Sequence, residues 1–410
     1  MRDCMPEQED AFFAIFRDYY NSERAPVQTH HTIPYSLERM GPLFELAGRP
    51  EQTLRVVHVA GTKGKGSTCH FVSALLNAAD RRNGVFASPH LATVRERFQL
   101  DGRLIPYDVL LEHAATWEQL VRQAGLTPSL FEIMTVLALR IFAAEGCEFA
   151  VMETGIGGRL DATNYVPRPE CCVITAVSFD HTDLLGDTIA EIAAEKAGII
   201  KTGVPVVCGR QPFPEARAVI EATAKTRRTS LVESCGNDEL ASWPVRDLPT
   251  FLTWNFAAAL AACKVVGVTP DPRRFYLPQL RARFETISQD PLVILDAAHN
   301  SDSAVILADT LRQYFPTTLF TIVLGVVQGK DARGILTALA SLEMPFVLTS
   351  PRSPRPSALD ELVSAAAGLG VDYSICPEIG SPADLPQDSP LLFTGSFFTA
   401  VIGETLFSSR

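Results

Sequence analysis

The chain has 410 residues, 47% hydrophobic and 20% charged, with a formal net charge of -11. That length exceeds what one hydrophobic core organises, so about two domains are expected; the balance is that of a folded protein, and the negative charge argues against a broad nucleic-acid surface and for a small anionic ligand in a local basic pocket. The nine cysteines are scattered without a CxxC pair, which suggests neither a zinc nor a disulfide framework, and no leader or uninterrupted membrane-length apolar run is present, so a cytoplasmic, non-membrane protein is expected.

The opening region, to about Arg49, reads as packing helices, with apolar residues at helical spacing in "AFFAIFRDYY" and "SLERMGPLFELAG". Next, "LRVVHVAG" reads as a buried strand, and "TCHFVSALLNAA" places Phe71, Val72, Leu75 and Leu76 on one helix face. Alternation continues through "FEIMTVLALRIFAAEG" (helix), "FAVMET" and "CCVITAVS" (strands), "TIAEIAAEKAGII" (helix) and "VPVVCG" (strand), the order of a parallel sheet covered by helices. The pattern weakens from Gln211 to Pro249, which predicts a loop-rich or peripheral stretch, and resumes with the helix "WNFAAALAACKVVG".

A second alternating set begins near Pro291 with "PLVILDAAHN" and ends with "PLLFTGSFFTAVIGETL". The expected fold class is α/β: a P-loop NTPase-like parallel-sheet ATPase domain over residues 1–275, a Pro- and Arg-rich linker over 276–290, and a smaller Rossmann-like domain over 291–410.

The segment "HVAGTKGKGS", between a strand and a helix, is where the chemistry starts. Gly61, Gly64 and Gly66 let backbone N–H groups point into one concavity, Lys65 adds a positive charge, and the helix N-terminus favours an anion. Ser67 stands where a hydroxyl can reach a magnesium ion on nucleotide phosphates. The spacing departs from GxxxxGK[ST], because the loop is shorter and Gly66 separates Lys65 from Ser67; the alternative is a flexible glycine turn. Glu153 ends an apolar strand and His181 follows another, so both fall at the carboxyl ends of a parallel sheet, where α/β ligands bind. A histidine between two aspartates, or a lysine such as Lys196 on a helix, is otherwise an ordinary hydrogen-bonded or salt-bridged residue, and Glu195 and Lys201 read as surface charges.

"HVAGTKGKGS" resembles the P-loop of the Mur ligase family, in particular its folate branch of folylpolyglutamate and dihydrofolate synthases. In the same order follow "SPHL" with "RERF", "METGIGGRLDATN", "FDHTDLLG", "EKAGIIK", "LDAAHN" and "TGSFF", so the resemblance spans roughly residues 45–405. It implies that Gly61, Thr62, Lys63, Gly64, Lys65, Gly66 and Ser67 bind ATP, that Ser67, Glu153 and His181 surround magnesium, and that a carbamylated Lys196 holds a second ion. It implies that "SPHLATVRERF" approaches a pterin substrate through Ser88, His90, Glu96 and Arg97, although a solvated loop with a local ion pair also fits those residues. It further implies ATP contacts from Asn255 and Arg283, and roles for Asp296 and His299 toward the incoming amino acid or a magnesium ion, with Lys65, Lys196, Asp296 and His299 as the catalytic set.

Departures from the family pattern are specific. Phe251 and Leu252 stand where "HQ" is usual, Ala282 precedes Arg283 in place of glycine, Ala297 replaces a glycine, and Gly329 replaces the first acid before Lys330 and Asp331.

The implied reaction is amide formation: the γ-phosphoryl group of ATP activates a pterin carboxylate as an acyl phosphate, and the neutral α-amine of L-glutamate displaces phosphate. The acceptor is dihydropteroate or a reduced folate, and a monomer is expected. A cell-wall precursor ligase is the alternative within the fold; those carry an extra domain before the P-loop, and only 60 residues precede Gly61. A nucleotide-binding regulator that has lost synthesis would bind ATP without coupling it to glutamate, and a P-loop kinase would phosphorylate a hydroxyl with no amino-acid requirement.

Overall fold

A computed structural model describes residues 6–21 and 36–407; Cys4 and part of the opening region lie outside the described residues. The chain divides into two compact units, Met1–Pro278 and Gln279–Arg410.

The sheet of the first unit comprises β1 (Arg55–Ala60), β2 (Asn83–Phe86), β3 (Phe98–Leu100), β4 (Arg103–Leu104), β5 (Phe149–Glu153), β6 (Cys171–Ile174), β7 (Val206–Cys208) and β8 (Leu231–Glu233), in the order β4-β3-β2-β5-β1-β6-β7-β8. Strands β2, β5, β1, β6, β7 and β8 run parallel, and β3 and β4 add antiparallel edges. Because helices cover both faces, β5 and β6 are buried at every residue and read as unbroken apolar runs. The pairing Val59 with Glu153, and Ala60 with Ile174, aligns the carboxyl ends of β5, β1 and β6 and so sets three loops side by side. Phe71, Val72, Leu75 and Leu76 of the helix Lys65–Asn77 are all buried, as their spacing predicts.

Two local expectations are corrected, and one helix was not foreseen. The stretch from Gln211 to Pro249 is peripheral, since β8 is an edge strand, but not loop-rich: it contains the helix Pro214–Thr226 and β8. Proline at the first helical position starts that helix, and its buried stripe is Ala216, Ile220 and Ala224, where alanines mute the apolar signal. The helix Tyr107–Gln123 was not signalled by any motif, and "AFFAIFRDYY" is helical only to Ile15.

The second unit carries β9 (Glu285–Gln289), β10 (Leu292–Leu295), β11 (Thr321–Leu324), β12 (Phe346–Leu348), β13 (Tyr373–Ile375) and β14 (Leu391–Thr394), ordered β13-β12-β11-β14-β10-β9. All pairs are parallel except β9 with β10. Residues 285–289, expected in the linker, are thus a paired edge strand, because a half-polar edge strand shows too little alternation to announce itself.

Candidate active site

The loop between β1 and the helix Lys65–Asn77 is shaped by close approach. Gly61 (φ 149°) and Gly64 (φ 84°) adopt backbone conformations side chains disfavour, and a Cβ on them would fall 1.9 Å from Thr175 Oγ1 and 2.2 Å from Asn255 Oδ1. The amides of Thr62 and Lys63 both donate to the Ala176 carbonyl (2.9 and 3.0 Å). The Thr62 hydroxyl donates to the Ser178 carbonyl (3.0 Å) and accepts from the Ser178 amide (3.1 Å), locking the P-loop to the segment after β6.

Glu153 is buried at the end of β5, accepts from the Ser88 amide (3.0 Å), and lies 3.3 Å from where a Cβ on Gly66 would stand. Next to Gly66, the buried Ser67 hydroxyl has no hydrogen-bond partner among the described residues. The buried hydroxyls of Thr154 and Ser178, at the ends of the neighbouring segments, are likewise unpaired among the described residues. Orphaned buried polar groups are costly, and these three stand where a ligand could satisfy them.

Lys196 sits at the end of the helix Ile189–Ala197, 3% exposed. Burial first, and then the charge of Lys65, push its amine down to about 7, against the opposing fields of Asp180, Asp161 and Glu195. His181 caps a short turn in a left-handed conformation (φ 49°), about one-third exposed, with its Nε2 3.8 Å from Asp180. Ser67, Glu153, Lys65 and Lys196 are therefore gathered around one set of strand ends, with His181 on the adjoining loop. No three His, Cys, Asp or Glu side chains among the described residues form a metal cluster by themselves. The donor set nevertheless fits a divalent cation, since an orphaned hydroxyl beside a buried carboxylate supplies hard oxygens and leaves room for substrate phosphate.

The segment "GGRLDATN" turns out to be a brace. Asp161 accepts from the amides of Gly155 (2.9 Å), Ile156 (3.1 Å) and Thr163 (3.0 Å), so it caps the short helix Ala162–Tyr165. Thr163 in turn meets the wholly buried His58 of β1 at 2.8 Å. Glu195, read as a surface charge, makes an exposed ion pair with Arg159 of this segment (2.8 Å), whereas Lys201, read likewise, is partly buried and donates to the Asn164 carbonyl (2.9 Å). Their partners lie 36 and 37 residues away, beyond any local pattern.

The loop carrying Ser88, His90, Glu96 and Arg97 is ordered internally. Glu96 accepts from the amides of Leu91, Ala92 and Thr93 (2.8, 2.9 and 3.1 Å) within a capping box, and the fully buried Arg97 donates to His90 Nδ1 at 2.7 Å. The solvated-loop alternative does not describe it. Asn255, on the helix Thr250–Val265, is buried against Gly64.

Within the second unit, Arg283 lies between Ala282 and Phe284, both at positive φ (49° and 53°), and its guanidinium stacks 4.7 Å from the Phe397 ring. Asp296 is buried, with one oxygen on the Phe284 amide and the other on the Ala298 amide (2.9 Å each), so it braces the Arg283 segment and the turn carrying His299. His299 Nδ1 meets the Ala297 carbonyl at 2.9 Å, which places the ring proton on Nδ1. Asp331 caps the helix Ala332–Ala340 through the Gly334 amide (2.8 Å), and Gly329 at φ 85° suits a turn where an acid would be strained.

Two family models match: the Mur ligase middle domain over residues 59–212, and the Mur ligase glutamate ligase domain over 282–383. The chain is 33% identical to a folylpolyglutamate synthase of Lacticaseibacillus casei, over 91% of this chain and 94% of that protein. It belongs to the folylpolyglutamate and dihydrofolate synthase family. A dihydrofolate synthetase of Saccharomyces cerevisiae is 32% identical, over 75% of this chain and 79% of its own length. Among solved structures, the E. coli FolC enzyme in complex with DHPP and ADP superposes with a TM-score of 0.82 at 26% identity, covering 96% of each chain. A bifunctional folylpolyglutamate synthase/dihydrofolate synthase with Mn, AMPPNP and L-glutamate bound gives 0.79 at 28%, covering 90% of this chain and 93% of that one.

Proposed function

We propose that this member of the family joins L-glutamate to the carboxylate of dihydropteroate, of a reduced folate, or of both, at the expense of ATP. The observation that carries the reading is the gathering of Lys65, Ser67, Glu153 and Lys196 at the carboxyl ends of β1, β5 and β6, beside a braced P-loop. The P-loop amides and Lys65 would hold the triphosphate and offset charge on the transferred phosphoryl group. Ser67, Glu153 and His181 would hold a magnesium ion, and Lys196, once carbamylated, a second; bound there, the cations would neutralise phosphate charge. An amine held near neutrality by burial is the form able to take up carbon dioxide, which supports Lys196 in that role. Ser88, His90, Glu96 and Arg97 would shape the acceptor side, Asn255 and Arg283 would contact the nucleotide, and His299, set by Asp296, would face the incoming amino acid.

The test is phosphate release with ATP and magnesium, comparing dihydropteroate with tetrahydrofolate as acceptor and omitting glutamate in a control. Release that needs glutamate and dihydropteroate identifies dihydrofolate synthesis, and the tetrahydrofolate arm identifies polyglutamylation. ATP turnover indifferent to glutamate with both acceptors would sink the ligase reading and favour a regulator or kinase.

A further inference from the structure

The N-terminal helix Pro6–Ile15 precedes both stretches matched by the family models, and its sequence suggests packing alone. One of its side chains does something else. Glu9 turns its carboxylate onto the loop after β2: both oxygens accept from the Val94 amide (2.9 and 3.1 Å), and Oε2 accepts from the hydroxyls of Thr93 (3.0 Å) and Tyr107 (2.7 Å). Its Oε1 also stands 3.9 Å from His90 Nε2, and Phe13 of the same helix places its ring 6.1 Å from the imidazole. Because Arg97 donates to His90 Nδ1, the neutral ring carries its proton on Nε2, the nitrogen turned toward Glu9.

The loop is therefore fastened at two distant points by carboxylates. Its Ser88 end is tied to Glu153, beside the P-loop, and its Val94 end to Glu9. Glu96 closes the middle on itself. Charge-assisted bonds to backbone amides fix geometry more firmly than neutral ones, and a buried amide that loses its acceptor is penalised. Glu9 is remote in sequence, 84 to 98 residues from these partners.

We propose that Glu9 is a positioning residue for the pterin acceptor: from outside the nucleotide-binding framework it sets the conformation of residues 88–97, including the orientation of His90 and Arg97, and so governs acceptor binding without affecting ATP. This rests on the reading of that loop as the acceptor side.

The experiment uses the full-length enzyme and its Glu9→Ala and Glu9→Gln variants, with KM measured for acceptor, ATP and glutamate, alongside hydrogen exchange of peptides covering 88–97 and 155–161. Glu9→Ala should raise the acceptor KM by about tenfold or more, the size expected for a lost charge-assisted contact, with the other two KM values within about twofold. Glu9→Gln, which keeps an acceptor oxygen, should recover most of that loss. Exchange should quicken in 88–97 and stay unchanged in 155–161. An unchanged acceptor KM in Glu9→Ala overturns the proposal, and so does a parallel rise of all three KM values with faster exchange in both peptides, which marks general loosening. Wild-type enzyme without pterin-dependent turnover overturns the functional reading together with the acceptor part of the proposal; unchanged exchange in 88–97 overturns the Glu9 anchor whichever acceptor is used.

Discussion

In the first unit polar residues beside the strand ends are left wanting: Ser67 has a buried hydroxyl without a partner among the described residues, and Lys196 is driven toward neutrality by burial and by Lys65. In the second unit most of the corresponding residues are spent on their own chain, with Asp296 holding two amides, His299 a carbonyl and Asp331 a helix N-terminus; the buried Thr394 hydroxyl at the end of β14 is the exception, unpaired among the described residues. The contrast teaches which residues await a ligand and which are scaffolding. A group satisfied by its own backbone adds stability without needing substrate, whereas an orphaned or desolvated one costs stability that a bound anion or cation restores.

The largest effect should come from Lys65→Ala, which removes the P-loop charge. Glutamate-dependent phosphate release should fall by about a thousandfold or more, as for other groups that stabilise a transferring phosphoryl, with the thermal midpoint little changed. Near-normal release would break the comparison at its strongest point.

A smaller effect concerns the brace beneath the site. Burial first, then Lys201, lower the His58 imidazole to about 3, below its ordinary 6.5. The unfolded chain therefore binds a proton that the folded chain refuses, so this contribution to stability is complete above pH 6.5 and lost as pH falls toward 3. His58→Gln should flatten the acid limb of stability against pH by up to about 1.4 kcal/mol per pH unit. Denaturant titrations across that window check it, and an unaltered slope would remove His58 from the acid sensitivity of the fold.

The smallest expected effect sharpens the contrast. Asp331→Ala should cost about 1 kcal/mol of stability, as for a lost helix cap, with kcat/KM nearly retained. Lost activity at unchanged stability would give Asp331 a ligand role and erase the distinction between the units.

Much of the site was legible because its parts are local. Gly61, Gly64 and Gly66 announce a loop that side chains would block, and the apolar runs ending at Glu153 and leading to His181 announce buried parallel strands. Asp161 is legible as a cap because it acts on its neighbours. The partners of Glu195 and Lys201 were not, since the Arg159 guanidinium and the Asn164 carbonyl come from another segment. The helix Pro214–Thr226 was hidden by alanines in its buried stripe, and β9 by the polar residues an edge strand tolerates.

Two α/β units and a phosphate-cradling loop could be read from the chain alone, because glycine placement and apolar periodicity act over a few residues, and the ordered motifs pointed to the family. Only the tertiary structure decided that Lys196 loses its proton readily, that Asp296 serves the backbone, and that Glu9 reaches the loop of His90. Each of those depends on desolvation or on a partner distant along the chain, and a side chain's charge and hydrogen-bonding state are set by what folding brings beside it.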